Sequence, residues 1–203
     1  MRLPALTPLL LLPWAACRAA PPARGLEPPP GLDTPRAHLE PLDPKHAELD
    51  YAALMSSRPH LRSTLHWGDW PRDDFKLEQN RRDLERHARE FASREAFAYT
   101  VLAPDRARCL GCVYIDPSRD GASARLEFWV IEPDLATDLD EHLLRELLAW
   151  IGRDWPFERV EIPMHRENAR GIGLARGLGL RESEDPRAPQ RRTFVWLRVS
   201  SRE

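Results

Sequence analysis

The chain has 203 residues, 42% of them hydrophobic, and 30 Lys and Arg against 32 Asp and Glu leave a net charge of -2. Such a chain fits about one globular domain with its own core, and its near-neutral, sign-mixed charge gives no electrostatic reason to expect nucleic acid as a partner. Cys17, Cys109 and Cys112 are too few for a disulfide scaffold.

Residues 1–35 differ in composition from the rest. Met1-Arg2 precedes an apolar run broken by Pro4, Pro8 and Pro13, then Cys17-Arg18-Ala19-Ala20 and a proline-rich tract through Pro30. A basic start, a short apolar core and small residues read as an export signal, and Cys17 after Ala15-Ala16 is similar to a lipoprotein attachment site. The same composition equally reads as a disordered leader. The expected location is cytoplasmic for a mere leader, and exported or lipid-anchored through Cys17 for a signal. The apolar run is short of the ~20 residues a membrane-spanning helix needs.

A single domain is expected over residues 36–203. Residues 38–42 alternate like an edge strand, and Pro44 opens a helix over residues 45–55. Residues 60–75, rich in Trp and Asp, read as a loop. Residues 77–94 read as a charged helix with Asn80, Arg81, Arg82, Asp83, Glu85 and Arg86 outward and Leu84 and Phe91 inward. Residues 96–102 and 109–115 form a hairpin, and residues 124–131 add a strand ended by Glu132-Pro133-Asp134. Leu139, Leu143, Leu144, Leu147, Leu148, Trp150 and Ile151 recur at helical spacing within residues 136–154. Residues 159–165 form a strand, 167–178 a short helix closed by Gly179, and 192–198 the last strand. Strand, helix and strand across residues 124–165 make a βαβ unit.

Two spacings recommend other chemistry. Cys109-x-x-Cys112 has metal or redox spacing, but in a regular strand residues three apart face opposite sides, so no metal site is expected. Gly171-x-Gly173 lacks the third glycine of a dinucleotide fingerprint, since residue 176 is arginine. Gly171, Gly173 and Gly177 each weaken the last helix by roughly 1 kcal/mol relative to alanine, so close backbone packing is expected to hold it.

The run His165-Arg166-Glu167-Asn168-Ala169-Arg170-Gly171-Ile172-Gly173-Leu174-Ala175-Arg176-Gly177-Leu178-Gly179-Leu180 resembles the last strand-to-helix signature of the GNAT-type N-acetyltransferase superfamily. Gly111 and Glu127-Phe128-Trp129-Val130 ahead of a proline extend the resemblance over residues 36–198. It implies an α+β fold with a mixed, mostly antiparallel sheet of about six strands and about four helices. It also implies acetyl-CoA as co-substrate and an amine of a small molecule or peptide as acceptor. By the same resemblance the pantetheine arm lies on the backbone of Trp129, Val130 and Ile131. The pyrophosphate sits on the amides of Leu135, Ala136, Thr137, Asp138, Leu139, Asp140 and Glu141, where free amides and the positive helix end bind anions. Asn168 touches the cofactor arm, Glu127 stands where the family often keeps a base, and His66, Trp67, Asp69 and Trp70 occupy the loop where the family places the acceptor.

Two positions differ from that pattern. The phosphate loop has no glycine and carries Asp138, Asp140 and Glu141, each repelling a phosphate charge about 6 Å away by roughly 0.7 kcal/mol in water. Those acids suit a helix start with Thr137 or Asp138 as cap. Ala175 stands where many members carry a tyrosine that protonates the leaving thiolate. Residue by residue, Glu127 also reads as an exposed strand residue, Asn168 as a helix cap alone, His165 as a base or a structural group, and Trp67 and Trp70 as packing for their loop. For the whole chain the alternative is a non-catalytic binding module on the same fold, with or without an anchor at Cys17.

Overall fold

The computed structural model describes residues 26–184 and 188–199; Cys17 and the rest of residues 1–25 lie outside them. The fold begins ahead of the expected boundary at residue 36. Leu26 and Leu32 are buried, β1 (Leu32–Asp33) pairs antiparallel with β2 (His38–Pro41), and the Tyr99 hydroxyl donates to the Pro29 carbonyl at 2.8 Å. Prolines 28–30 cannot donate to a ladder, but a carbonyl can still accept, so the tract is tied down from the side.

The other strands are β3 (Phe97–Leu102), β4 (Cys109–Pro117), β5 (Ser123–Val130), β6 (Arg159–His165), β7 (Arg181–Ser183) and β8 (Arg191–Leu197), in the spatial order β1-β2-β3-β4-β5-β6-β8-β7. All pairings are antiparallel except β5 with β6. Among the described residues eight strands thus replace the six expected, because two short ones cover the edges. The strand expected at the edge, β2, lies inside β1, and β8 lies inside β7.

The helices are α1 (Ala47–Ser56), α2 (Arg58–Leu65), α3 (Leu77–Ala92), α4 (Glu132–Leu135), α5 (Leu139–Asp154) and α6 (Ala169–Gly177). A 3-10 turn at Pro44–His46, capped by the Asp43 side chain on the Lys45 amide, leads into α1. Helix α2 corrects the reading of residues 60–75 as loop throughout: Pro59 stands in its first turn and Leu61 is buried. Every residue of β3 is buried, so the middle of the sheet is covered on both faces. From α5 and the turn after it, Trp150 packs on Tyr99 and Trp155 on Phe97, with ring centroids 5.2 Å apart in each pair. Thr100, one residue along β3, instead meets the buried His46 at 3.1 Å.

Asn80 is a second correction. It is buried rather than outward, and its amide donates to Asp50 Oδ2 at 2.9 Å and to the Ala47 carbonyl at 3.2 Å. A polar side chain on a charged helix looks solvent-facing in sequence; its partners lie 30 and 33 residues away. The third correction concerns the cysteines. In the β3–β4 ladder Val101 faces Gly111 but Leu102 faces Cys109, so Leu110 is an extra residue and β4 is bulged. The bulge reverses the alternation, and the sulfurs of Cys109 and Cys112 lie with an Asp50 carboxylate oxygen within 4.8 Å of one another.

Glu40 on β2 meets Lys45 Nζ at 2.6 Å and His46 Nε2 at 2.7 Å. Hydrogen bonding to Lys45, with a smaller pull from His46, outweighs burial and holds its carboxyl at about 2 instead of 4.5. A carboxyl depressed on folding stabilises the fold fully above pH 4.5, and that contribution is lost as pH falls from 4.5 to about 2. Acid denaturation followed by circular dichroism should therefore be shallower over that window in Glu40→Gln than in the wild type; equal slopes would contradict the assignment.

Candidate active site

The βαβ unit supplies the site by failing to pair along its full length. Strands β5 and β6 match Ser123 to Arg159, Ala124 to Val160 and Arg125 to Glu161, and the ladder stops there. The residues just beyond it, Leu126 to Val130 on one strand and Ile162 to His165 on the other, line a cavity of about 500 Å³. The Ile131 amide donates to the Leu110 carbonyl of β4 at 2.8 Å. By the two-residue period of a strand, the amides and carbonyls of Phe128 and Val130 therefore face the gap. Of the three residues expected to offer backbone there, Val130 does so, while Trp129 turns its backbone toward β4 and Ile131 gives its amide to β4 and its carbonyl to the Asp134 amide. The Trp129 carbonyl lies so close over Gly111 that a Cβ on Gly111 would meet it at 1.9 Å.

Glu127 lines the cavity, but its carboxylate is shared by Arg125 at 2.9 Å and Arg191 at 3.2 Å. Arg191 sits opposite His165 on β8 and reaches past β6 to strand β5. Neither arginine was distinguishable in sequence, where Arg191 is one of several in a basic, proline-containing stretch.

At the start of α5 the acidic loop proves to be compensated. Arg170, in the first turn of α6, donates to Asp140 through Nε at 2.6 Å and Nη2 at 2.7 Å, and through Nη2 to Asp138 and to the Leu135 carbonyl at 3.0 Å. Glu141 pairs with Arg145 at 2.7 Å, and Arg36 donates to the Thr137 carbonyl and hydroxyl oxygens at 2.7 Å. The expected side-chain cap is absent: Asp138 takes a left-handed backbone (φ 55, ψ 37) and gives its carboxylate to Arg170, while the Thr137 hydroxyl donates to Asp134. The first intrahelical bond runs from His142 to the Asp138 carbonyl, so the amides of Leu139, Asp140 and Glu141 precede it. Leu135 and Asp140 line the cavity; Ala136, Thr137, Asp138, Leu139 and Glu141 do not.

Asn168 is the α6 cap, its Oδ1 accepting the Gly171 amide at 2.9 Å, and it also lines the cavity. Ala175 is fully buried and lies off the cavity wall, whereas Leu174 lies on it. Close packing does not explain all the α6 glycines: a Cβ at Gly173 or Gly177 would meet nothing within 4 Å.

The acceptor residues expected after α2 divide. Trp67 lines the cavity, Trp70 meets it at a tilt with ring centroids 5.4 Å apart, and Asp69 is exposed and off the wall. His66, in a left-handed backbone (φ 51), stacks on His165 with ring centroids 3.5 Å apart and lies 3.4 Å from Glu167. Burial, then the neighbouring His66, lowers the pKa of His165, and burial lowers that of His60 on the same wall. Glu167 thus has histidines beside it but no arginine or lysine partner among the described residues.

Solved structures with this architecture decide the fold. The RimL ribosomal L7/L12 alpha-N-protein acetyltransferase in complex with coenzyme A superposes with a TM-score of 0.70 at 14% identity, over 81% of this chain and 96% of that one. The chain has the fold of the GNAT acetyltransferases. A ribosomal-protein-S5-alanine acetyltransferase from Vibrio fischeri matches this chain with a TM-score of 0.70 at 11% identity, over 85% of this chain and 99% of that one. The microcin C7 self-immunity acetyltransferase MccE, in complex with acetyl-CoA and AMP, matches with a TM-score of 0.70 at 13% identity, over 84% of this chain and 97% of that one. No protein-family profile matches the sequence, and no curated protein matches it. Among the described residues no helix is long and apolar enough to cross a membrane.

Proposed function

We propose that the chain is an N-acetyltransferase that moves an acetyl group from acetyl-CoA to an amine of a small molecule or peptide. The observation that carries this is the open edge of β5, where Phe128 and Val130 present main-chain groups to a cavity at the point where pairing with β6 ends. An extended amide-bearing arm such as pantetheine can add there as a strand does. The β5–β6 gap leads to Leu135 and Asp140 beside the first-turn amides of α5, suited to the pyrophosphate once Arg170 has neutralised the acids around them. Asn168 borders the arm.

The acceptor enters past Trp67 and Glu167. Guanidinium groups partner Glu127 and Asp140 on the cavity wall, so Glu167 remains as the carboxylate that attracts an ammonium, beside an aromatic face suited to a cation. Glu127 takes the proton that frees the amine lone pair. The nitrogen attacks the thioester carbonyl carbon, the C–N bond forms as the C–S bond breaks, the acylated nitrogen gives its surplus proton to solvent, and the thiolate leaves and is protonated by solvent to coenzyme A, in place of a side-chain acid at Ala175.

Calorimetric titration of the full chain with acetyl-CoA should give a dissociation constant within roughly 1 µM–1 mM. Glu127→Gln should cut thiol release by about 10²–10⁴-fold while leaving that constant in place. The non-catalytic reading is favoured by one observation, the absence of an acid at Ala175, and it predicts no heat at millimolar acetyl-CoA.

A further inference from the structure

We propose that Asp50, Cys109 and Cys112 form a structural site for a thiophilic d10 metal ion, Zn²⁺ or Cu⁺, buried between α1 and the bulge of β4. Two interior cysteines are by themselves ordinary small core residues. Three features set these apart.

The first is convergence. The extra residue Leu110 turns both thiols to one side, and the two sulfurs and a carboxylate oxygen lie within 4.8 Å of one another, with Cys112 Sγ 3.2 Å from Asp50 Oδ1. Bonds of about 2.3 Å to sulfur and about 2.1 Å to oxygen place tetrahedral ligands roughly 3.5–3.8 Å apart. Cys112 and Asp50, 3.2 Å apart, stand just below that range, and Cys109 lies no more than 4.8 Å from either, so small side-chain rotations bring all three atoms onto one ion.

The second is charge. Asp50 is 2% exposed and accepts only from neutral donors, the Asn80 amide at 2.9 Å and the Cys112 thiol, with no cationic hydrogen-bond partner among the described residues. Buried carboxylates are ordinarily paired with a cation or bound to a metal. The third is the donor set: two sulfurs and one oxygen favour thiophilic ions over Mg²⁺ or Ca²⁺. Binding is a proton exchange without oxidation: each thiol, and the Asp50 carboxyl in its protonated form, gives its proton to solvent, each sulfur gives a lone pair to the ion, and Asp50 supplies a carboxylate oxygen. The ion would pin the bulge, since Cys112 faces Trp129 across the β4–β5 ladder.

The test is titration of the reduced, chelator-treated full chain with Co²⁺ as spectroscopic stand-in, with Zn²⁺, and with Cu⁺ against a chromogenic chelator. The expected result is one ion per chain, two or three protons released per ion, a raised melting temperature and, with Co²⁺, thiolate-to-metal charge transfer that Zn²⁺ reverses; a Cu⁺-only response identifies copper as the ion. Cys109→Ser and Cys112→Ser should abolish binding, and Asp50→Asn should weaken it at least tenfold. If the serine variants do not fold, wild-type thiol alkylation in moderate urea serves instead, each ion protecting both cysteines. Absence of thiolate ligation or thiol protection with all three ions, or binding that survives both serine variants, overturns the proposal.

Discussion

Alanine at Gly111 should lower the melting temperature by roughly 6–12 °C and weaken acetyl-CoA binding with it. A Cβ there would stand 1.9 Å from the Trp129 carbonyl oxygen and 3.0 Å from Val130 Cα, both backbone atoms of the central β4–β5 ladder. Neither can swing aside as a side chain would, so β5 must move. Overpacking of this kind costs about 3 kcal/mol at the upper end of its usual range, and a chain of this size loses roughly 2–4 °C per kcal/mol. The displaced segment carries the Val130 main chain that faces the cavity, which joins stability to binding. Gly173→Ala is the control: its Cβ meets nothing within 4 Å inside a helix, so it should gain up to about 1 kcal/mol. Scanning calorimetry on the two variants decides the matter, and a Gly111→Ala protein melting with the wild type would show that β5 is not held by this approach.

Arg170→Ala should raise the dissociation constant for acetyl-CoA by at least about tenfold, equivalent to roughly 1.4 kcal/mol. The guanidinium holds Asp138 and Asp140 at the start of α5, and the neighbouring carboxylates in turn push its pKa up. Without it, uncompensated acids face any pyrophosphate bound to the α5 amides. A stability loss of about 1–2 kcal/mol should accompany the change. That is less than for a fully buried pair, because Arg170 is 41% exposed although Asp140 is only 9% exposed. Adding Asp138→Asn and Asp140→Asn to Arg170→Ala should restore part of the affinity; unchanged affinity in all variants would move the pyrophosphate away from this loop.

Elements whose signal lies within one turn or one strand were legible in the sequence. Strand β6 has the expected bounds, the leucine stripe of α5 is buried, and Asn168 caps α6 through the Gly171 amide three residues on. Helix α2 was obscured because its short apolar stripe, Leu61 and Leu65, runs straight into a Trp- and Asp-rich turn. The bulge at Leu110 was invisible for another reason: an extra residue in one strand shows only against the register of its partner.

The site divides along the same line. Local pattern determined the strand-helix-strand frame and the acidity of the loop before α5, because periodicity and capping act over four residues or fewer, whereas Glu127 and Asn168 were singled out by the family resemblance and border the cavity. Only the tertiary structure decided that the acids are neutralised, since Arg170 lies 30 and 32 residues from Asp140 and Asp138, and that Glu127 is bound to an arginine 64 residues on. Ion pairs between distant segments leave no spacing to read. Their partners are chosen by which strands and helices the core packs together, and here that choice sets the Arg170 guanidinium against the acids of the loop.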